Sequence, residues 1–198
     1  MNRDENEKRE VFRKSGWLTG QMLVAMPSMM DPRFVRSVIY LCQHGLEGAM
    51  GLVVNKLYDD LDYRGLLTQL KIPVTPSTIE LPIHFGGPVD PARGFVLHSP
   101  DYLRDGTLRI SDTVSLTATI EVLHALSEGR GPEKAILALG YAGWGAGQLD
   151  AELQSTGWLV APADEEIIFG QDHERKWERA LAKIGVTPTM LSGDVGHA

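Results

Sequence analysis

The sequence predicts an α+β domain built on a mostly antiparallel, bent or barrel-like sheet with a few flanking helices. Three observations carry this. Apolar, β-rich segments crowd the first half of the chain, helical patterns are inserted one at a time, and no strict strand–helix–strand alternation occurs.

Each element has a local cause. Leu18–Ala25 and Val35–Gln43 are β-rich, and between them Pro27 and Pro32 keep the segment 26–32 out of a helix. Ala49–Asn55 follows the turn 44–48, close enough to Val35–Gln43 for a hairpin. Asp62 is an N-cap for a short helix that buries Leu66, Leu67 and Leu70 and stops before Pro73. Ile83–Phe85, the tight turn Gly86-Gly87-Pro88, Gly94–His98 and Thr107–Ser111 continue the sheet. Thr117 caps a helix through Ser127, in which Ile120, Leu123 and Leu126 follow helical spacing and Gly129 supplies the stop. Lys134–Tyr141 is a continuous apolar run, the pattern of a strand buried on both faces. The loop 143–147 leads into a helix from Gln148 to about Gln154, and Trp158–Ala161 is a last strand. Trp177, Ala180, Leu181 and Ile184 then fall at i, i+3, i+4 and i+7, and Gly185 and Pro188 end that helix.

These elements form a single domain over residues 16–198, preceded by a mobile arm over 1–15 that is almost wholly polar. The arm holds five basic and four acidic side chains, which leaves 14 basic against 22 acidic in the body. A body that acidic repels phosphate backbones, so direct nucleic-acid binding is disfavoured. One cysteine, Cys42, excludes an internal disulfide and fits a reducing compartment. With no signal-peptide pattern and no apolar run long enough to cross a membrane, a cytoplasmic location is expected.

Candidate chemistry is sparse. The loop Gly143-Trp144-Gly145-Ala146-Gly147 has G-x-G-x-G spacing, which meets neither nucleotide-binding fingerprint, and Asp150 and Glu152 bring negative charge against a bound phosphate. It reads first as a turn that lets Trp144 pack. Cys42 and His44 stand two apart, hence on one strand face if the strand continues, and such a pair can form a reactive thiolate or redox sensor. His84 and His98 flank the Gly86-Gly87-Pro88 turn, near enough in sequence to approach one another, and read first as structural histidines. Two histidines without a third ligand such as Asp101 or Glu80 make a thin metal site, so no metal or other cofactor is expected. Neither G-x-S-x-G nor S-x-x-K occurs, and no catalytic residue is assigned.

Several ordered stretches carry a resemblance. They are the segments 16–27, from Gly16-Trp17 to Met26-Pro27, and 37–44, from Ser37 to His44. With them go 48–55, ending in Val54-Asn55, and Phe85-Gly86-Gly87-Pro88-Val89. Further on come Arg93-Gly94-Phe95-Val96-Leu97-His98, the segment 140–149 and the terminal Gly196-His197-Ala198. In this order they resemble the bacterial YqgE/AlgH family from about Gly16 to the end. After Asn55 the pattern continues with a basic residue, here Lys56, and Leu57 departs from it where a proline is often expected. The resemblance implies a bent, barrel-like sheet with flanking helices. It also implies a regulatory, transcription-linked role exerted through protein partners, and it transfers no catalytic residue. A second reading is a small-molecule binding protein or an enzyme without a signature. Its pocket would gather Asn55, Gly86, Gly87, His98, Tyr141, Trp144 and Gln148, with Cys42 beside them, near glycine-rich turns where a ligand reaches backbone.

Overall fold

The computed structural model describes residues 18–155 and 157–188; the expected arm over 1–15 and the terminal Gly196-His197-Ala198 lie outside them. In chain order the elements are β1 (Met22–Ala25), β2 (Val38–Gly45), β3 (Gly48–Val53), α1 (Tyr63–Gln69), β4 (Ile83–Phe85) and β5 (Val89–His98). They continue with β6 (Thr107–Arg109), β7 (Ser115–Thr117), α2 (Ile120–Ser127), β8 (Ala135–Gly145) and α3 (Gln148–Gln154). β9 (Trp158–Ala161), α4 (Glu165–Phe169) and α5 (Lys176–Lys183) complete the described chain.

The strands form one curled half-barrel sheet in the order β6-β7-β5-β8-β3-β2-β1-β9, with β4 added beside β8. Every pairing is antiparallel except β4 on β8. β8 is the spine. Its first half pairs β5 on one side and β4 on the other, and its second half pairs β3.

Three hydrophobic clusters follow from this arrangement. The largest lines the concave side, where Tyr40, Leu52, Phe95, Leu97 and Ile136 meet Ile167 and Ile168 of α4 and Trp177 and Leu181 of α5. Trp177 Nε1 also donates to the Ala25 carbonyl at 2.8 Å, which ties α5 to β1. On the outside, α1 and α2 cover the β4–β5 region with Leu67, Val122 and Leu126 over Val96 and Leu137. α3 and the segment before β2 cover the other half around Leu23, Leu41, Trp144 and Trp158.

Among the boundaries that differ from the sequence reading, three have a plain physical reason. β1 begins at Met22, because Gly20 at φ +81° closes a turn just before it. Thr117 is not a helix cap: Ser115–Thr117 pairs with both β5 and β6, and Thr119 takes the N-cap position of α2. The expected loop at 143–147 is strand up to Gly145, since Gly143 and Gly145 pair with Met50 and Gly48 across the β3–β8 ladder.

Candidate functional site

The second half of β8 borders two grooves. Gly140 at φ +71° bends the spine, and Gly87 lies against it so tightly that an added Cβ at Gly87 would stand 2.1 Å from the Tyr141 carbonyl carbon. Only backbone without side chains packs this closely. The contact sends the chain from Pro88 to Val89 alongside Tyr141, so that Val89 and Gly143 sit at the rim of two grooves.

The first groove opens on the concave side and measures about 630 Å³. Its floor and walls are Cys42, Met50, Phe95, Leu116 and Tyr141, and Gln43, Glu47 and Arg93 supply its polar groups. The Phe95 and Tyr141 rings meet edge to face with centroids 5.8 Å apart. Above them the Arg93 guanidinium lies 5.1 Å from the centre of the Phe95 ring. Leu108 of β6, 51% exposed, closes the far lip. The arrangement offers an apolar, partly aromatic bed with one cation held over it, suited to an apolar body carrying an anionic group.

The second groove, about 420 Å³, runs along the outer side of the same β8 segment. Glu152 organises it. Its Oε2 accepts from Trp144 Nε1 and from Trp158 Nε1, each at 2.9 Å, while its Oε1 accepts from Gln148 Nε2 at 2.9 Å. Gln148 in turn accepts from the Gly145 amide at 3.0 Å and so fixes the turn into α3. Phe34 stacks edge-on against Trp158 at 5.5 Å and completes the wall. Val89, Gly143 and Trp144 line both grooves, so the two surfaces meet across the β8 edge.

Of the residues singled out in the sequence, Cys42 and Tyr141 line the first groove and Gln148 the second, with Trp144 on both, so the single pocket expected to gather them is divided between two surfaces. Gly86 and Gly87 face the backbone of β8 around 140–142 and serve its bend. Asn55 and His98 are held elsewhere. Asn55 accepts from the Val38 amide at 2.7 Å and donates to the Arg36 carbonyl at 2.8 Å, pinning the turn before β2. His98 Nδ1 donates to the Ser99 carbonyl at 2.8 Å, and its Nε2 accepts from the Thr117 hydroxyl at 2.9 Å. Both ring nitrogens are engaged in the interior, and burial holds the pKa of His98 below its ordinary value.

Two pairs that the sequence allows do not form. A bulge between Leu41 and Gln43 shifts the alternation of β2. Cys42 therefore stays on the concave side, while His44 joins Ala49 on the outer side with Nε2 3.7 Å from Asp150 Oδ2. The Cys42 thiol donates to the Tyr40 carbonyl, and burial pushes its pKa upward, the opposite of an activated thiolate. His84 and His98 also part. His84 stacks on His173, ahead of α5, and His98 packs on Tyr102. Burial holds His84 down to about 3 and Lys176, next to it, down to about 7. Sequence reading missed Glu152, Trp158 and Arg93 as site residues. The Gln148–Glu152 spacing of four, which places both on one helix face, was the available signal.

The profile of the AlgH-like family, DUF179, matches residues 22–189. This chain belongs to the AlgH-like family. A UPF0301 protein of Rhodopseudomonas palustris strain HaA2 is 53% identical over 190 residues, covering 92% of this chain and 87% of the relative. One of Methylobacterium nodulans is 54% identical over 192 residues, covering 93% and 91%. Among solved structures, the solution structure of the AlgH protein from Pseudomonas aeruginosa is similar at TM-score 0.73 and 42% identity, over 91% of this chain and 96% of that one. Protein DIP2367 of Corynebacterium diphtheriae shares the fold at TM-score 0.70 and 22% identity, over 89% and 92%. No helix among the described residues is long and apolar enough to cross a membrane.

Proposed function

We propose that the chain is a binding protein whose concave groove takes a small, largely apolar ligand with an anionic group directed at Arg93. The observation that carries this reading is the groove itself. At about 630 Å³ it falls in the size range of small-molecule sites, about 300–1,000 Å³, and it pairs an apolar bed with one placed cation. The experiment starts with native mass spectrometry of gently purified full-length protein, followed by titration with the anionic fluorophore anilinonaphthalene sulfonate. A reproducible mass excess, and dye binding at one equivalent that Leu108→Glu abolishes, are the expected results. Dye binding that Leu108→Glu leaves untouched overturns the groove assignment.

A regulatory role exerted through a protein partner is favoured by a different surface. Leu66 and Leu70 of α1 and Ile120 and Leu123 of α2 line an apolar furrow, in which Leu70 is 39% and Ile120 43% exposed. A chain that emerges bare from native mass spectrometry and ignores the dye, yet retains a protein in pull-downs, directs the function to that furrow.

A further inference from the structure

The outer groove carries more negative charge than its own cation neutralises. Its charged groups are Asp31, Arg33 and Glu152. Arg33 belongs to Asp31: its Nη2 donates to Oδ2 at 2.6 Å and its Nε to Oδ1 at 3.0 Å. Glu152 pairs with no cation among the described residues. Its side-chain oxygens accept from neutral donors, the Trp144 and Trp158 indoles and the Gln148 amide, each at 2.9 Å. Such bonds spread the charge of a carboxylate without cancelling it. Aromatic rings wall the same groove. Trp158 meets Trp144 at 6.0 Å between centroids and 81° between planes, and it meets Phe34 at 5.5 Å and 75°. At these angles the three rings form adjoining walls, not a parallel stack.

The geometry points to a site for a small methylated ammonium head group in the outer groove, walled by Phe34, Trp144 and Trp158 with Glu152 as its counter-charge. An indole that donates its N–H to a carboxylate is polarised by it, and its ring face becomes more attractive to a cation. Both indoles are buried, and a cation over a ring gains more where water is excluded. Phe34 already carries such a contact, since the Arg33 guanidinium carbon lies 5.7 Å from its ring centre. The carboxylate selects the kind of cation. Its oxygens are committed to the indoles and Gln148, so it offers charge and few free acceptors. A primary ammonium needs acceptors for its three donors, whereas a quaternary one donates no hydrogen bond and asks only for charge and ring faces. At about 420 Å³ the groove lies within the range of small-molecule sites, about 300–1,000 Å³, and has room for the head group and a short substituent. The site stands whether or not the concave groove binds a ligand.

The test titrates the full chain with choline and, separately, with dimethylbutanol, its uncharged isostere in which a tert-butyl group replaces the trimethylammonium. Aromatic ring and indole N–H signals are followed by NMR. Choline is expected to move Phe34, Trp144 and Trp158 while Phe95 of the concave groove and Trp177 under α5 hold. It should bind at least about tenfold more tightly than the isostere. Phe34→Leu keeps an apolar wall and removes one ring face, so choline should bind about threefold more weakly. Glu152→Gln keeps an oxygen for the indoles and removes the charge, with an expected loss of about threefold or more. Absence of choline binding, equal affinity for the isostere, an unchanged affinity in either variant, or movement of Phe95 in place of Phe34 and Trp158 overturns the site.

Discussion

At the scale of single residues, Glu152 does most to shape the outer groove. A half-buried carboxylate oxygen that accepts from two buried indoles satisfies donors which otherwise have no water to turn to. Glu152→Ala orphans both N–H groups and should cost about 2–4 kcal/mol in a urea titration. Glu152→Gln keeps an oxygen for the indoles and loses only the Gln148 contact, so it should cost less than about 1.5 kcal/mol. If the two variants melt alike, the indoles are held by packing and not by the carboxylate. Residue chemistry was only half legible in the sequence. Trp144 and Gln148 stood out through their glycine-rich setting, and they do line a groove. Asn55 and His98 stood out equally, yet their polar atoms are spent on backbone and on Thr117. Sequence shows that a side chain can bond. It does not show which partner three-dimensional packing brings to it.

At the scale of elements, the legible parts were those with a local cause. The spacing of Trp177, Ala180, Leu181 and Ile184 gave α5, and the expected hairpin is present as β2–β3. β7 was illegible because three residues, Ser115-Leu116-Thr117, carry too little pattern to compete with a helix cap reading. The end of β8 was illegible for a different reason: its glycines look like turn residues, whereas here they let strands and backbone close on one another. Gly87 separates the two roles. An alanine there would set its Cβ 2.1 Å from the Tyr141 carbonyl carbon and 2.3 Å from the Ala142 nitrogen, at φ +153°. Backbone cannot yield as a side-chain tip can, so Gly87→Ala should lose about 3 kcal/mol or more. Gly145→Ala is the control, since its Cβ would meet only Gln148 Oε1 at 3.9 Å and should shift stability by less than about 0.5 kcal/mol. Equal effects in chemical denaturation would mean that the close approach is not what shapes the β8 bend.

At the scale of the whole molecule, one cluster joins both halves of the sheet to α4 and α5, so the acids buried in the core bear on global stability. Tyr40 and Cys42 lie in that cluster, and Tyr63 lies in the one beneath α1 and α2. Burial raises the phenol of Tyr40 from 10.0 to about 12, and it raises Tyr63 from 10.0 to about 12. Burial also moves the Cys42 thiol upward. The sign follows from which state loses its proton first. Between pH 10 and about 12 the unfolded chain ionises these phenols while the folded chain holds them neutral, so the unfolded state binds fewer protons and stability falls as pH rises. The contribution is whole below pH 10 and is lost toward pH 12. A net charge of −7 adds self-repulsion in the same direction. Urea midpoints should therefore drop steeply from pH 9.5 to 11.5, and ultraviolet titration should show two of the five tyrosines ionising late. Tyr40→Phe keeps the packing and removes one phenol, so its midpoint should fall less steeply over that range. A variant slope equal to that of the parent chain would place the alkaline loss in surface repulsion and not in the buried phenols.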